Sequence, residues 1–152
     1  MDDGLLYFVL VLLIAGSAFF SGSETALSTF NHVRMKNAAE EGDKKAKKVL
    51  KVADDYDKTI STILIGNNIV NILLSSLGTL FFIALLHGNN ELGSTVATIV
   101  ITLLVLIFGE ITPKNLAKDF PERFALFSAP ILQFFTYLLL PLNFIFAGWK
   151  FL

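Results

Sequence analysis

The chain has 152 residues, of which 54% are hydrophobic and 16% charged, with a formal net charge of −1 at pH 7. The apolar content favours a membrane protein, and the balanced charge argues against a nucleic-acid partner. Because the chain has no cysteine, a disulfide framework, thiol catalysis and a thiolate metal site are excluded.

Four apolar runs divide the chain, and the first three predict transmembrane helices over about residues 4–29, 58–87 and 92–112. A helix needs about 20 apolar residues to cross a bilayer. The first run, 5–20, is shorter than that, so its helix is expected to continue through the more polar "SGSETALSTF". The sequence therefore predicts an all-α membrane protein with three transmembrane helices.

A polar block between the first two spans predicts juxtamembrane helices at residues 31–57, broken near Gly42. Eight of the 12 Lys and Arg residues fall within 31–58, and the loop after the second span has none. Cytoplasmic loops are enriched in Lys and Arg. We therefore expect a multi-pass protein with its amino terminus outside and the basic loop 31–58 in the cytosol. This loop either forms a belt against the anionic inner leaflet or is a solvated amphipathic helix.

The last run, within residues 114–152, is predicted to form amphipathic, non-spanning helices. Pro130 and Pro141 are expected to divide it into pieces too short to cross. The alternative is a fourth crossing that would leave Lys150 outside.

Polar residues cluster at the inner end of the first span, where Ser21 and Glu24 share a helical face and Ser23 points elsewhere. The second span carries Asn67 and Asn71 at four-residue spacing, so they form one stripe. Helix capping explains the first cluster equally well, and a helix–helix seam is the alternative for the second. Amide oxygens are also hard, neutral ligands that suit Mg²⁺ or Na⁺.

The third span ends in a carboxylate followed by a proline. Pro113 has no N–H and cannot bond to the carbonyl of Gly109, so a backbone oxygen is freed beside Glu110. Freed carbonyls at membrane depth can bind cations. The alternative is a helix that stops at the interface, with Glu110 paired to Lys114. All three clusters fall in the inner half of the bilayer, so a single cation site is predicted there.

Three motifs, "FFSGSETALSTF", "TILIGNNIVNILLSS" and "FGEITPKNLA", occur in this order along the chain. Together they resemble the transmembrane domain of the CNNM/CorC magnesium transporters over nearly the whole chain. The resemblance implies a homodimer with cytosolic-side juxtamembrane helices. It also implies cytosolic CBS-pair domains that are absent from this chain.

By motif position, the resemblance implies that Ser21, Asn67, Asn71, Glu110 and the Gly109 carbonyl bind the metal ion. It implies Mg²⁺ efflux from an inward-facing cavity in the plasma membrane, coupled to Na⁺ entry, and no enzymatic activity. The alternative function is a membrane anchor and dimerisation module without transport of its own.

Four further residues are assigned supporting roles. Pro113 is expected to shape the turn, and Glu24 to hold Na⁺ or a proton. Ser23 and Asn68 lie within the same motifs, although Ser23 faces away from Ser21 on a regular helix.

Overall fold

The computed structural model describes residues 3–151, and every element there is helical. The helices are α1 (Asp3–Thr29), α2 (His32–Glu40), α3 (Lys44–Asp54), α4 (Tyr56–Leu85), α5 (Asn90–Leu104), a π-helical segment (Val105–Ile111), α6 (Thr112–Asp119), α7 (Pro121–Leu138) and α8 (Leu140–Phe151). The predicted all-α class is confirmed.

Three helices of the described part are long and apolar enough to cross a membrane: Gly4–Thr29, Tyr56–Leu85 and Asn90–Asp119. The third differs from the sequence-based expectation. It was expected to end near residue 112 in a polar link, whereas α5, the π segment and α6 form one continuous helix to Asp119.

The π segment explains why Pro113 does not end this helix. The Thr112 N–H bonds to the carbonyl of Ile107, five residues earlier, which is the wider π-helical pattern. Pro113 then falls in the first turn of α6, where a backbone N–H has no α-helical partner inside that helix. Because the π-helical turn contains one extra residue, the helix continues past Pro113 without unwinding, although Pro113 has no backbone N–H to donate.

The basic block forms α2 and α3, which are joined at Gly42, where the sequence predicted a break. Gly42 has φ +100°, a left-handed conformation that favours glycine. The Asp43 side chain caps α3 by accepting from the N–H groups of Lys45 and Ala46. The turn and the cap redirect the chain so that α3 packs against α7.

Helix α1 lies at the centre of the fold and contacts α4, the π segment, α6 and α7. Phe20 of α1 lies 5.4 Å from the Phe135 ring of α7, and a side chain at Gly66 of α4 would collide with the Phe20 ring. Gly66 therefore lets α1 and α4 approach closely. This packing fixes the polar residues of α1 against those of α4.

Helices α7 and α8 are not among the three candidate spans of the described residues, and the non-spanning run stays a prediction. Pro130, however, lies inside α7 and does not divide it. Ala129 and Leu132 on either side are fully buried, so tertiary packing holds the helix together despite the missing hydrogen bond. The chain breaks instead at Leu139, between α7 and α8.

Candidate cation site

Two serines one turn apart on α1, Ser17 and Ser21, face the other polar clusters. Both are buried, at 0% and 3% exposure. Residues four apart share a helical face, so the two hydroxyls form a short polar stripe inside the helix bundle.

Ser17 joins three helices at one point. Its Oγ donates to Asn67 Oδ1 of α4 at 3.5 Å. On its other side, a Cβ added to Gly109 of the π segment would lie 2.8 Å from Ser17 Oγ. Ser17 is not among the site residues predicted from the sequence. Its spacing of four from Ser21 is the signal that identifies it.

Ser21 contacts the carboxylate of the π segment. Its Oγ donates to Glu110 Oε1 at 3.2 Å, and Glu110 Oε2 lies 3.3 Å from Lys114 Nζ. The predicted alternative pairing of Glu110 with Lys114 is therefore present, but the helix does not stop there. The carboxylate is shared between a buried hydroxyl and a partly exposed ammonium group.

Asn71 lies one turn beyond Asn67 on α4. Its Oδ1 is buried and, within the described part of the chain, has no hydrogen-bond partner. An unpaired buried acceptor costs about 1–3 kcal/mol. This amide oxygen therefore has capacity for a ligand that the protein itself does not use.

The structure separates the remaining predicted residues. Ser23 is fully buried but donates to the Phe19 carbonyl at 2.6 Å, away from Ser21. Asn68 is exposed and Glu24 half-buried. Pro113 is buried directly after the π segment. The structure thus brings together Ser21 with Glu110, and Asn67 with Gly109 through Ser17.

The assembled groups are oxygen donors of low total charge: hydroxyls, amides and one carboxylate. No group of three or more His, Cys, Asp or Glu residues suited to a metal occurs in the part of the chain that the structure describes. Glu110 is the carboxylate of the cluster, and Lys114 neutralises it. Such an oxygen-rich set matches a hard cation better than a transition metal.

Comparison with known proteins identifies relatives of the chain. Residues 8–149 match the family model "Cyclin M transmembrane N-terminal domain". The chain is 44% identical over 126 residues to "UPF0053 inner membrane protein YfjD" of Escherichia coli, covering 83% of this chain and 29% of that protein. A UPF0053 protein of Haemophilus influenzae is 38% identical over 137 residues, covering 90% and 32%.

The chain thus spans about a third of the length of these curated relatives. A further Haemophilus influenzae protein, named "Polyamine export protein", is 29% identical over 143 residues, which is 88% of this chain and 33% of that protein.

Proposed function

Because the chain belongs to the cyclin M transmembrane family, we propose that it is the membrane domain of a transporter whose cargo is Mg²⁺. The observation that carries the proposal is the buried Oδ1 of Asn71, which lies on the same stripe as Asn67 and has no hydrogen-bond partner among the described residues. A cation beside this oxygen would satisfy a polar group that otherwise destabilises the folded protein.

The proposed ligands are Ser21, Asn67, Asn71, Glu110 and the carbonyl of Gly109. Mg²⁺ prefers six oxygen ligands at about 2.1 Å and usually keeps several waters. The Gly109 carbonyl is included because Pro113 has no N–H and cannot form the α-helical bond to it. Ser17 positions this set by donating to Asn67 Oδ1 and packing on Gly109.

Lys114 has a role in release. Its ammonium lies 3.3 Å from Glu110 Oε2, so it neutralises the carboxylate when no cation is bound. An arriving Mg²⁺ would compete with this tethered positive charge. Binding is then weak enough for the cation to leave, as transport requires.

The charge pattern supports one orientation of the chain in the membrane. The basic helices α2 and α3 place that side in the cytosol under the positive-inside rule, where they face the anionic inner leaflet. We propose Mg²⁺ efflux coupled to Na⁺ entry, with Glu24 as a second position for Na⁺. The plasma membrane is the proposed location, in keeping with the relative named as an inner membrane protein.

A homodimer is the proposed assembly, since the spans expose large apolar side chains on the surface of the single chain. Ile72 of α4 is 66% exposed and Ile99 of α5 is 56% exposed. Lipid or a second copy covers such surfaces in a membrane. The family's cytosolic CBS-pair domains are the proposed partners in the longer protein.

The test is Mg²⁺ flux from loaded proteoliposomes, with and without an opposing Na⁺ gradient. We expect Asn71→Ala and Glu110→Ala to lose most of the flux. Asn68→Ala is the matched control, because Asn68 is exposed on the same helix and its loss should leave flux unchanged. Equal flux in all three variants would remove the proposed site. Absence of flux in the wild-type protein would favour the anchor and dimerisation module.

Polyamine export is the second candidate function, and one contact favours it. The alkylammonium of Lys114 already rests on Glu110, so the carboxylate accommodates a primary ammonium group such as a polyamine carries. Adding spermidine to the same proteoliposomes separates the two candidates. Spermidine efflux that exceeds Mg²⁺ efflux and is lost in Glu110→Ala would make the polyamine the cargo.

A further inference from the structure

A cavity of about 60 Å³ lies away from the candidate cation site, where α3 ends, α4 begins and the last turns of α7 pass. It is on the side that the positive-inside rule assigns to the cytosol. Its polar lining comes from all three helices: Lys51, Asp55, Lys58, Gln133, Thr136 and Tyr137.

Two threonines line this cavity, and each already donates its hydroxyl proton to a backbone carbonyl. Thr59 is buried, and its Oγ1 donates to the Val52 carbonyl at 2.9 Å, which ties the start of α4 to α3. Thr136 Oγ1 donates to the Leu132 carbonyl within α7 at 2.8 Å. Neither hydroxyl proton is therefore available to a ligand.

The other donors are uncommitted. Within the described residues, neither Lys51 nor Lys58 forms an ion pair, although Asp55 lines the same cavity. No protein hydrogen bond in that part of the chain engages the Gln133 amide or the Tyr137 hydroxyl. Two ammonium groups, an amide and a phenol thus surround the cavity, and its lining charge sums to +1 from two lysines and one aspartate.

We propose that this cavity binds a phosphate group, and that the group belongs to the headgroup of an anionic phospholipid. A phosphodiester carries one negative charge and several acceptor oxygens, which match a lining of charge +1 with free donors. Lysine is a common phosphate ligand, and basic pockets on the cytosolic side of membrane helices suit lipid headgroups.

The surface beside the cavity favours a lipid over a soluble phosphate. On α7, Phe134, Tyr137 and Leu138 share a face and are 62%, 69% and 60% exposed. Tyrosine is typical of the headgroup level. Acyl chains can therefore cover this apolar face while the phosphate enters the cavity.

The experiment measures lipid binding to the purified protein in detergent by native mass spectrometry and by thermal melting. The three probes are dioleoylphosphatidylglycerol, dioleoylphosphatidylcholine and inorganic phosphate. The test variant is Lys51→Gln/Lys58→Gln. The matched control is Lys36→Gln/Lys45→Gln, since both residues are exposed and lie outside the cavity lining.

We expect phosphatidylglycerol to bind the wild-type protein and the control equally. The loss of two charge contacts should weaken its binding to the test variant about 30-fold. Tyr137→Phe removes one exposed hydroxyl donor without a packing cost and should weaken phosphatidylglycerol binding severalfold. This single variant tests the site even if the double lysine variant does not fold. Phosphatidylcholine should bind weakly to every variant.

Stabilisation by inorganic phosphate alone, lost in the test variant, would assign the cavity to a soluble phosphate and overturn the lipid assignment. Equal binding of phosphatidylglycerol to the test variant and the control would overturn the site itself. Neither result depends on whether the protein transports Mg²⁺.

Discussion

Replacing Gly109 by alanine tests whether α1 and the π segment form a wall of the cation site. A Cβ at this position would lie 2.8 Å from Ser17 Oγ and 3.3 Å from Ser17 Cβ. Because Ser17 is fully buried, its side chain cannot turn into solvent to relieve the contact. The added methyl group therefore forces α1 or the π segment to move by a few tenths of an ångström.

The structure sets the expected size of the effect. Overpacking a buried contact costs about 1–3 kcal/mol, and one methyl group belongs in the lower half of that range. For a chain of this length, about 1 kcal/mol corresponds to a change in Tm of about 2–4 °C. We expect Gly109→Ala to melt about 3–6 °C lower. Mg²⁺ binding should weaken at least about tenfold, because moving Ser17 also displaces Asn67.

The assay is thermal melting of the purified protein titrated with Mg²⁺ at constant ionic strength, since a ligand that binds the folded form raises Tm. Gly16→Ala is the matched control. Its Cβ would lie 3.5 Å from Val70, which is an ordinary contact, and the change adds the same methyl group beside Ser17 on α1. A Gly109→Ala variant with the Tm and Mg²⁺ response of the control would refute the reasoning.

Three further variants test the charges and the amides of the site. Lys114→Gln should tighten Mg²⁺ binding about fivefold, because the partly exposed ion pair with Glu110 that the cation must displace contributes about 1 kcal/mol. Lys118→Gln is the control. Unchanged or weaker Mg²⁺ binding in Lys114→Gln would contradict the proposal that Lys114 and Mg²⁺ compete for Glu110. Asn71→Leu should raise Tm by about 2–4 °C without Mg²⁺ and abolish the Mg²⁺ response, because it removes a buried unpaired oxygen. Asn67→Leu should instead lower Tm, because it leaves the buried Ser17 hydroxyl without its acceptor. Equal decreases of Tm in the two asparagine variants would mean that both asparagines have a structural role only.

The three spans were predictable because each contains a largely apolar run bounded by polar segments. The stripe of Asn67 and Asn71 was predictable for a similar reason, since spacing alone places them on one face. Ser17 was missed because it lies in "AGSAFF", where a small residue fits helix packing as well as ligand positioning. The hydrogen bond of Ser17 to Asn67 and the approach of Gly109 distinguish these roles.

Pro113 shows a different limit of prediction from local sequence. Its missing N–H correctly indicated a disturbed backbone, but the disturbance became a π-helical turn and the helix continued. Whether a proline ends or widens a helix depends on the packing of the residues after it, and Pro113 and Ala117 are buried. The burial of Asn71 Oδ1 without a hydrogen-bond partner among the described residues likewise depends on how the helices pack and has no signal in the sequence of α4 alone.

The unbroken helix from Asn90 to Asp119 has a mechanical consequence. Its 30 residues form a rod of about 45 Å, which exceeds the hydrocarbon thickness of about 30 Å. Glu110 and Asp119 therefore belong to one continuous helix that is longer than the hydrocarbon layer is thick. In the proposed orientation, a pull or twist applied by a cytosolic element at Asp119 would act on the same helix that carries the Glu110 carboxylate.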